Sequence, residues 1–318
     1  MKSVKIGVVG ATGLVGQTML RVLRGREGVR AYAPDRHEGE VIEGRKVLPL
    51  SSLRGDDLDV CLLAVGADVA EVLAPKLASE GCVVVDNSSR WRQDPKVPLV
   101  VPEVNPEDLM WHRGIVANPN CSTIQAVVAL GALKRYGIER VEYHTYQAVS
   151  GAGKGGIADL KEGTATTLPH PIRDNVIPSI DLADPSGYTK EEIKMREETR
   201  KILHASTLPV AATCVRVPVL NGHTVAVTVR LKDTPSLEEV REALSSQTVV
   251  MDDLERGVYP MPILATGQDE VLVGRVRKDP DDPHLYRLVT VDDNLRKGAA
   301  TNAVEILDLL VKNGLLHE

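Results

Sequence analysis

The sequence predicts an α/β nucleotide-binding domain with a parallel, Rossmann-like sheet, followed by an α+β domain. Three observations carry this. Short apolar runs alternate with helical patterns through the first third of the chain. Gly7, Gly10, Gly13 and Gly16 recur every third residue between the first strand pattern and the first helical one. After Cys121 the rhythm changes to longer strands with Gly- and Pro-containing connections.

In order, VKIGVVG reads as a buried strand and GLVGQTMLRVLRG as a helix on its apolar spacing. VRAYA, DVCLLAV and CVVVD are further short strands. DVAEVLAPKLASEG is a helix in which Pro75 marks either a kink or the first turn. This alternation builds right-handed βαβ units. The segment from Ser122 to Tyr136 reads as a buried helix, apolar nearly all round. A strand (VEYHTYQAV), a glycine-rich turn (SGAGKGG) and a Pro-containing loop follow. TKEEIKMREETRKILH is a helix opened by Thr189 and Glu192 at capping-box spacing. TCVRVPVLNGHTVAVTVRL reads as two strands joined at Asn-Gly, the strongest short hairpin signal. LEEVREALSS is a helix, YRLVTVDD a strand, and GAATNAVEILDLLVKNG a closing helix that ends at a C-cap glycine. Antiparallel pairing is expected in this second part. The boundary falls near residues 117–121, and the pattern leaves the closing helix free to join either domain.

At 318 residues the chain can build two domains with real cores. A net charge of -6 and a pI near 5.8 supply no basic field for nucleic acid or an anionic membrane. No apolar run approaches the roughly 20 residues that span a bilayer. The N-terminus enters a strand pattern directly, without a secretory signal, so the cytoplasm is expected. Cys61, Cys82, Cys121 and Cys214 lie far apart, with no CxxC or zinc spacing. Free thiols and no metal site are therefore expected.

Two stretches carry chemistry. GVVGATGLVG, between a strand and a helix, allows a tight turn and brings backbone N–H groups to a pyrophosphate. Gly10, Thr12, Gly13, Leu14 and Val15 would form that contact. The end of the second strand, AYAPDRHEG, should choose the cofactor: an acid holds a ribose 2′-OH, an Arg a 2′-phosphate. Asp35 and Arg36 stand side by side there, so this spacing alone leaves NAD and NADP open. The second stretch is NPNCST, which puts Cys121 where an irregular segment becomes a helix. A helix N-terminus favours the thiolate, and its N–H groups can hold an oxyanion. Of the eight histidines, His223, after the Asn-Gly turn, is the first candidate for a base.

GATGLVG, DNSSRWR, VVPEVN, NPNCST, YQAVSGAG, TKEEIKM with ETRKIL, CVRVPVLNGHT and NLRKGAATNAVEI occur in this order across nearly the whole chain. As a set they resemble the aspartate-semialdehyde dehydrogenases. The resemblance implies a catalytic domain like that of glyceraldehyde-3-phosphate dehydrogenase, a homodimer, and a closing helix that returns to the first domain. The domains would then be residues 1–120 with 299–318, for the dinucleotide, and 121–298, for catalysis and dimerisation.

The resemblance also implies roles. Cys121 is the nucleophile, His223 the acid/base, and Gln147 positions the intermediate. Arg216 grips the substrate α-carboxylate and Glu191 its α-amino group. Arg92, Lys194 and Asn120 bind phosphate. Ser150, Gly151 and Asn294 approach the nicotinamide. Arg36-His37 stands where the family has Arg-Ser, which implies NADP while Asp35 and His37 keep NAD open. The implied reaction is reductive dephosphorylation of L-aspartyl-4-phosphate through a Cys121 thioester, with His223 taking the thiohemiacetal proton as the aldehyde leaves. N-acetyl-γ-glutamyl-phosphate reductase and an acyl-CoA reductase are the rival readings. On spacing alone, Glu191 and Lys194 read as an exposed helical ion pair, and Arg90 and Arg92 as solvated loop charges. The stretch between Gly156 and Tyr188 is short for the family, and Arg90 stands where a small residue is common.

Overall fold

A computed structural model of the chain describes residues 4–316. Residues 1–3 and 317–318, inside the range expected for the first domain, lie outside the described residues. The chain divides into two units, one of residues 1–119 with 299–318 and one of residues 120–298.

The first unit runs β1 (Ile6–Val9), α1 (Leu14–Val22), β2 (Val29–Ala33), β3 (Val41–Ile42), β4 (Arg45–Pro49), β5 (Val60–Leu63), α2 (Ala67–Ser79), β6 (Val83–Asp86) and β7 (Ile115–Ala117). The sheet order is β3-β4-β2-β1-β5-β6-β7. Every pairing is parallel except the β3–β4 edge, which is antiparallel. The central strands are buried along their whole length, as a parallel sheet covered on both faces requires. Pro75 is the ninth residue of α2, not part of its first turn. β3 and β7 are too short to stand out as periodic runs, and β4, RKVLP, has a charged start and a proline end that hide its strand pattern; none of the three was expected.

The second unit runs α3 (Cys121–Leu133), β8 (Ile138–Gln147), α4 (Gly153–Glu162), α5 (Lys190–Ile202), β9 (Val210–Arg216), β10 (His223–Leu231), α6 (Leu237–Ser245), β11 (Val249–Val250), α7 (Pro262–Ala265), β12 (Leu272–Lys278) and β13 (Leu285–Asp292). Its sheet order is β11-β12-β13-β10-β8-β9. The expected hairpin at Asn221-Gly222 does not form. β9 pairs with β8 in parallel, and β10 pairs with the other edge of β8 antiparallel. The connection crosses the end of β8 instead, where the Val217 N–H donates to the Gln147 carbonyl and the Val149 N–H to the Val219 carbonyl. The sheet is therefore mixed rather than antiparallel. The SGAGKGG turn is also corrected: it holds a short 3-10 turn and the start of α4. Buried helix α3 packs on β8, β10, β13, α5 and α6. Thr189 closes the capping box with Glu192, whose carboxylate accepts the Thr189 N–H at 2.8 Å.

A π-helical segment, Arg296–Thr301, leads into α8 (Asn302–Lys312). Val304, Leu307 and Leu310 of α8 share one core cluster with Met19 and Leu20 of α1, its C-cap Leu23, and Val8, Leu62, Val85 and Val116 of the first sheet. The closing helix thus completes the core of the first unit. No described helix is long and apolar enough to cross a membrane.

Only glycine fits at two points, Gly10 in the loop between β1 and α1 and Gly16 in the first turn of α1. Gly10 has φ +85, and a Cβ there would meet the Ala64 carbonyl oxygen at 2.2 Å. A Cβ on Gly16 would meet the Gly10 carbonyl oxygen, also at 2.2 Å. Gly16→Ala is expected to cost about 1–3 kcal/mol through this overlap. Urea unfolding measures it, and a midpoint equal to wild type would show that the loop shifts freely.

Candidate active site

Cys121 is the first residue of α3 and is half-buried. The other three cysteines are buried. Asn120 is the N-cap: its Oδ1 accepts the Ser122 and Thr123 N–H groups at 2.9 and 3.3 Å. This changes one expectation. The two N–H groups that follow Cys121 are occupied by the cap and do not form an oxyanion hole. The helix still presents the positive end of its dipole to the sulfur.

The remaining groups of Asn120 reach α5. Its backbone N–H donates to Glu198 Oε2 at 2.6 Å, and its Nδ2 to Glu191 Oε1 at 2.8 Å. Glu191 Oε1 also accepts Gln147 Nε2 at 3.1 Å, and Oε2 accepts Lys194 Nζ at 3.1 Å. Thr145 Oγ1 orients Gln147 by donating to its Oε1 at 3.0 Å. Glu191 is 5% exposed, so the exposed-pair reading of Glu191 and Lys194 fails. Burial alone would raise its carboxyl. The Lys194 charge and the bonds from Asn120 and Gln147 outweigh burial and bring it to about 2. Lys194 Nζ has a second carboxylate, Asp181 Oδ2, at 2.7 Å. Burial opposes its charge, but Glu191 and Asp181 together raise it above the usual lysine range.

His223 is fully buried at the start of β10. The Ala148 N–H donates to its Nδ1 at 3.0 Å. Nδ1 is therefore an acceptor, and the proton of the neutral ring is assigned to Nε2. Nε2 is buried with no protein partner. Burial, and next the Arg216 charge, lower the imidazole to about 3, so the ring is neutral near pH 7. Arg216 is also buried and donates Nη1 to the Ala148 carbonyl at 2.7 Å. Both ends of one peptide segment thus position the two side chains. A Cβ on Gly151 would lie 2.9 Å from Arg216 Nη1 and 3.3 Å from His223 Nε2. Only a glycine leaves that space open. A cavity of about 460 Å³ is lined by Arg216, Asp181, Ile177, Leu168 and Ala152. Ser150 and Asn294 meet each other, Nδ2 to Oγ at 2.9 Å, and Asn294 Oδ1 accepts the Gly222 N–H at 2.9 Å.

Sequence reasoning missed a supporting layer. Gln125 Nε2 donates to the His223 carbonyl at 3.2 Å and to Asp292 Oδ1 at 2.8 Å, while Thr290 Oγ1 donates to Gln125 Oε1 at 2.9 Å. Asp292 faces His223 in the β10–β13 register. Burial, with the Asp293 charge second, pushes its carboxyl far above the usual range. Glu198 was missed too, although a signal existed: Glu191, Lys194 and Glu198, at i, i+3 and i+7, share one helix face.

In the first unit the glycine loop is anchored by the Gly10 and Ala11 N–H groups, both 3.0 Å from the Tyr32 carbonyl. Gly13 caps α1 with no side-chain bond, so the first N–H groups of the helix, at Leu14 and Val15, have no intrahelical acceptor. Thr12 uses its carbonyl to accept Gln17 Nε2 at 2.9 Å. These features fit a dinucleotide phosphate. After β2, Asp35 Oδ1 accepts the Ser51 N–H at 3.0 Å, and His37 Nδ1 lies 2.8 Å from Glu40 Oε1. Arg36 is exposed and has no hydrogen bond or ion pair among the described residues. Arg92 is buried, not solvated: it donates to the Asn118 and Asn87 carbonyls at 3.0 and 2.7 Å. Arg90 is exposed, pairs with Glu71 at 2.9 Å and stacks on Trp91.

Comparison with known proteins agrees with this geometry. Residues 5–112 match the family described as semialdehyde dehydrogenase, NAD binding domain, and residues 130–297 match semialdehyde dehydrogenase, dimerisation domain. The aspartate-semialdehyde dehydrogenase of Aquifex aeolicus is 47% identical over 98% of this chain and 99% of its own. The crystal structure of Vibrio cholerae aspartate semialdehyde dehydrogenase II complexed with ASA is 41% identical, with a TM-score of 0.94 over 98% of this chain and 99% of that one. The Candida albicans aspartate semialdehyde dehydrogenase with NADP is 26% identical, with a TM-score of 0.76 over 99% and 100%. These relatives are neither N-acetyl-γ-glutamyl-phosphate reductases nor acyl-CoA reductases, and the rival readings are not favoured. With this identity sustained over its whole length, the chain belongs to the aspartate-semialdehyde dehydrogenase family of oxidoreductases.

Proposed function

We propose that the chain catalyses the NADPH-dependent conversion of L-aspartyl-4-phosphate to L-aspartate-4-semialdehyde and phosphate, through a thioester on Cys121, on the route to lysine, threonine and methionine. The observation that carries the reading is Cys121 at the N-terminus of α3, whose cap residue is bonded to the Glu191 carboxylate. The dimerisation-domain match supports a homodimer. The four free thiols support a reducing, cytoplasmic setting.

The Cys121 thiolate attacks the acyl carbon, and phosphate leaves toward Lys194 with Arg92 and Asn120 as the further phosphate ligands. Arg216 takes the α-carboxylate bidentately. Glu191, ionised, supplies the charge for the α-ammonium group, and Gln147 orients the acyl group. Gly151, Ser150 and Asn294 form the nicotinamide side. Bound cofactor supplies the hydride that reduces the thioester.

The tautomer of His223 refines its role. With its proton on Nε2 the ring donates to the oxygen of each tetrahedral adduct, the task the occupied N–H groups of Ser122 and Thr123 do not perform. Collapse of the second adduct returns the sulfur as thiolate, so this step needs no base. The freedom of Arg36, beside an Asp35 already tied to Ser51, supports NADP over NAD through the 2′-phosphate.

Cys121→Ser is expected to keep the fold and lose at least about a thousandfold in turnover, read as phosphate-dependent reduction of NADP by the semialdehyde. Activity within tenfold of wild type would sink the covalent scheme. Arg36→Ala should weaken NADPH binding by about tenfold while sparing NADH; equal losses for the two cofactors would count against the 2′-phosphate reading. His223 also makes a pH prediction. Its folded value, near 3, is below the unfolded 6.5, so the unfolded chain binds the extra proton between them. The His223 contribution is therefore lost as pH falls below about 6.5, by up to about 1.4 kcal/mol per pH unit. Urea unfolding of wild type and His223→Asn from pH 7 to 5 should show the gap narrowing toward acid; a constant gap would mean that the folded imidazole takes up its proton at the same pH as the unfolded one and is not depressed.

A further inference from the structure

We infer that Asp181 sets how loosely Lys194 holds inorganic phosphate. The inference rests on Lys194 being a phosphate ligand, as proposed above. Asp181 lies on the link between α4 and α5, at φ +70, a backbone conformation that a non-glycine residue rarely keeps. Its Oδ1 accepts the N–H of Leu182 at 2.8 Å, and this local bond aims Oδ2 at Lys194 Nζ, 2.7 Å away. Asp181 also lines the cavity that Arg216 lines.

An ammonium group has three hydrogens. Asp181 and Glu191 take two of those on Lys194. A phosphate oxygen takes the third or displaces a carboxylate, and in either case a dianion faces Asp181. Glu191 cannot give way, because it is buried and bonded to Asn120 and Gln147. Asp181 can, since its side chain is 31% exposed on a link outside helix and strand. Asp181 therefore competes with phosphate for Lys194 and supplies the counter-charge when phosphate departs. In the reductive direction this eases product release. In the phosphorylating direction it raises KM for phosphate.

The test is steady-state kinetics of the full-length enzyme in the phosphorylating direction, varying phosphate and semialdehyde separately. Asp181→Asn removes the charge and keeps the shape. KM for phosphate should fall about fivefold, KM for the semialdehyde should hold, and phosphate should inhibit the reductive direction at correspondingly lower concentration. Asp184→Asn, on the same link with its carboxylate bonded to Ser186, removes a charge elsewhere and should leave KM for phosphate as it was. Lys194→Met should raise it. If Lys194→Met raises KM for phosphate and Asp181→Asn leaves it unchanged, the inference is overturned and the Lys194 reading stands. If Lys194→Met leaves it unchanged, the phosphate role of Lys194 fails first. A rise in semialdehyde KM in Asp181→Asn would also overturn the inference, by making Asp181 a contact for the substrate amino group. An equal fall in Asp184→Asn would reduce the effect to net charge.

Discussion

The second unit depends on one buried carboxylate. Glu191 is almost fully buried yet ionised, a state that is costly unless its oxygens are bonded and a cation lies close. Its partners come from three different elements: Asn120 at the start of α3, Gln147 at the end of β8, and Lys194 one turn further along α5. Meeting the needs of that charge therefore sets the N-cap of the Cys121 helix, the Gln147 amide and the Lys194 ammonium together. Removing any one partner would leave the others bonded to an under-satisfied charge, which makes the three positions mutually dependent.

The capping logic extends this constraint to Cys121. Asn120 spends its Oδ1 on Ser122 and Thr123 N–H groups, its Nδ2 on Glu191 and its backbone N–H on Glu198. The last two of these bonds hold the start of α3 against α5, while Oδ1 closes the first turn of α3 itself. The gain is a fixed first turn at Cys121. The cost is two N–H donors that a freer helix end would offer an oxyanion. His223 is held by the Ala148 N–H on Nδ1 with its Nε2 unpartnered, and Gly151 keeps the space beside Nε2 free of a Cβ.

What the sequence revealed follows the range of the interactions involved. The βαβ rhythm, the glycine loop, the Thr189–Glu192 box and the position of Cys121 at a helix start are local patterns, and all were legible. Strand order was not. Asn221-Gly222 has hairpin chemistry, but β8 is long enough to take partners on both edges and inserts itself between β9 and β10. Helix α4 hides behind glycines because it begins at Gly153, a residue with φ +73. At the site, resemblance named Glu191, Lys194, Gln147 and Arg216, whereas spacing alone read Glu191 and Lys194 as a surface pair. Burial comes from elements distant in sequence, and no i, i+3 pattern contains it. Gln125 and Asp292 were invisible for the same reason: each looks like an ordinary residue until β13 brings Asp292 opposite His223.

The four cysteines show how placement alone divides one residue type into two chemistries. Burial pushes the Cys61 thiol well above its ordinary value and Cys82 up to about 12. Cys214 is raised as well, by burial first and by the Glu191 charge next. None of these three ionises near neutral pH, so each serves as a small apolar side chain within its strand or beside it. Cys121 alone is half-exposed at the positive end of a helix. Gly298, whose Cβ would come within 3.1 Å of the Cys121 Cβ and 3.3 Å of Asp292 Oδ2, keeps the space behind it clear. A buried carboxyl stands there too, and burial, with the Asp293 charge next and Lys297 opposing, raises Asp292 far above the usual carboxylate range, which favours its neutral form beside the sulfur. The same burial that silences three thiols thus also disfavours a charge on the acid behind the fourth.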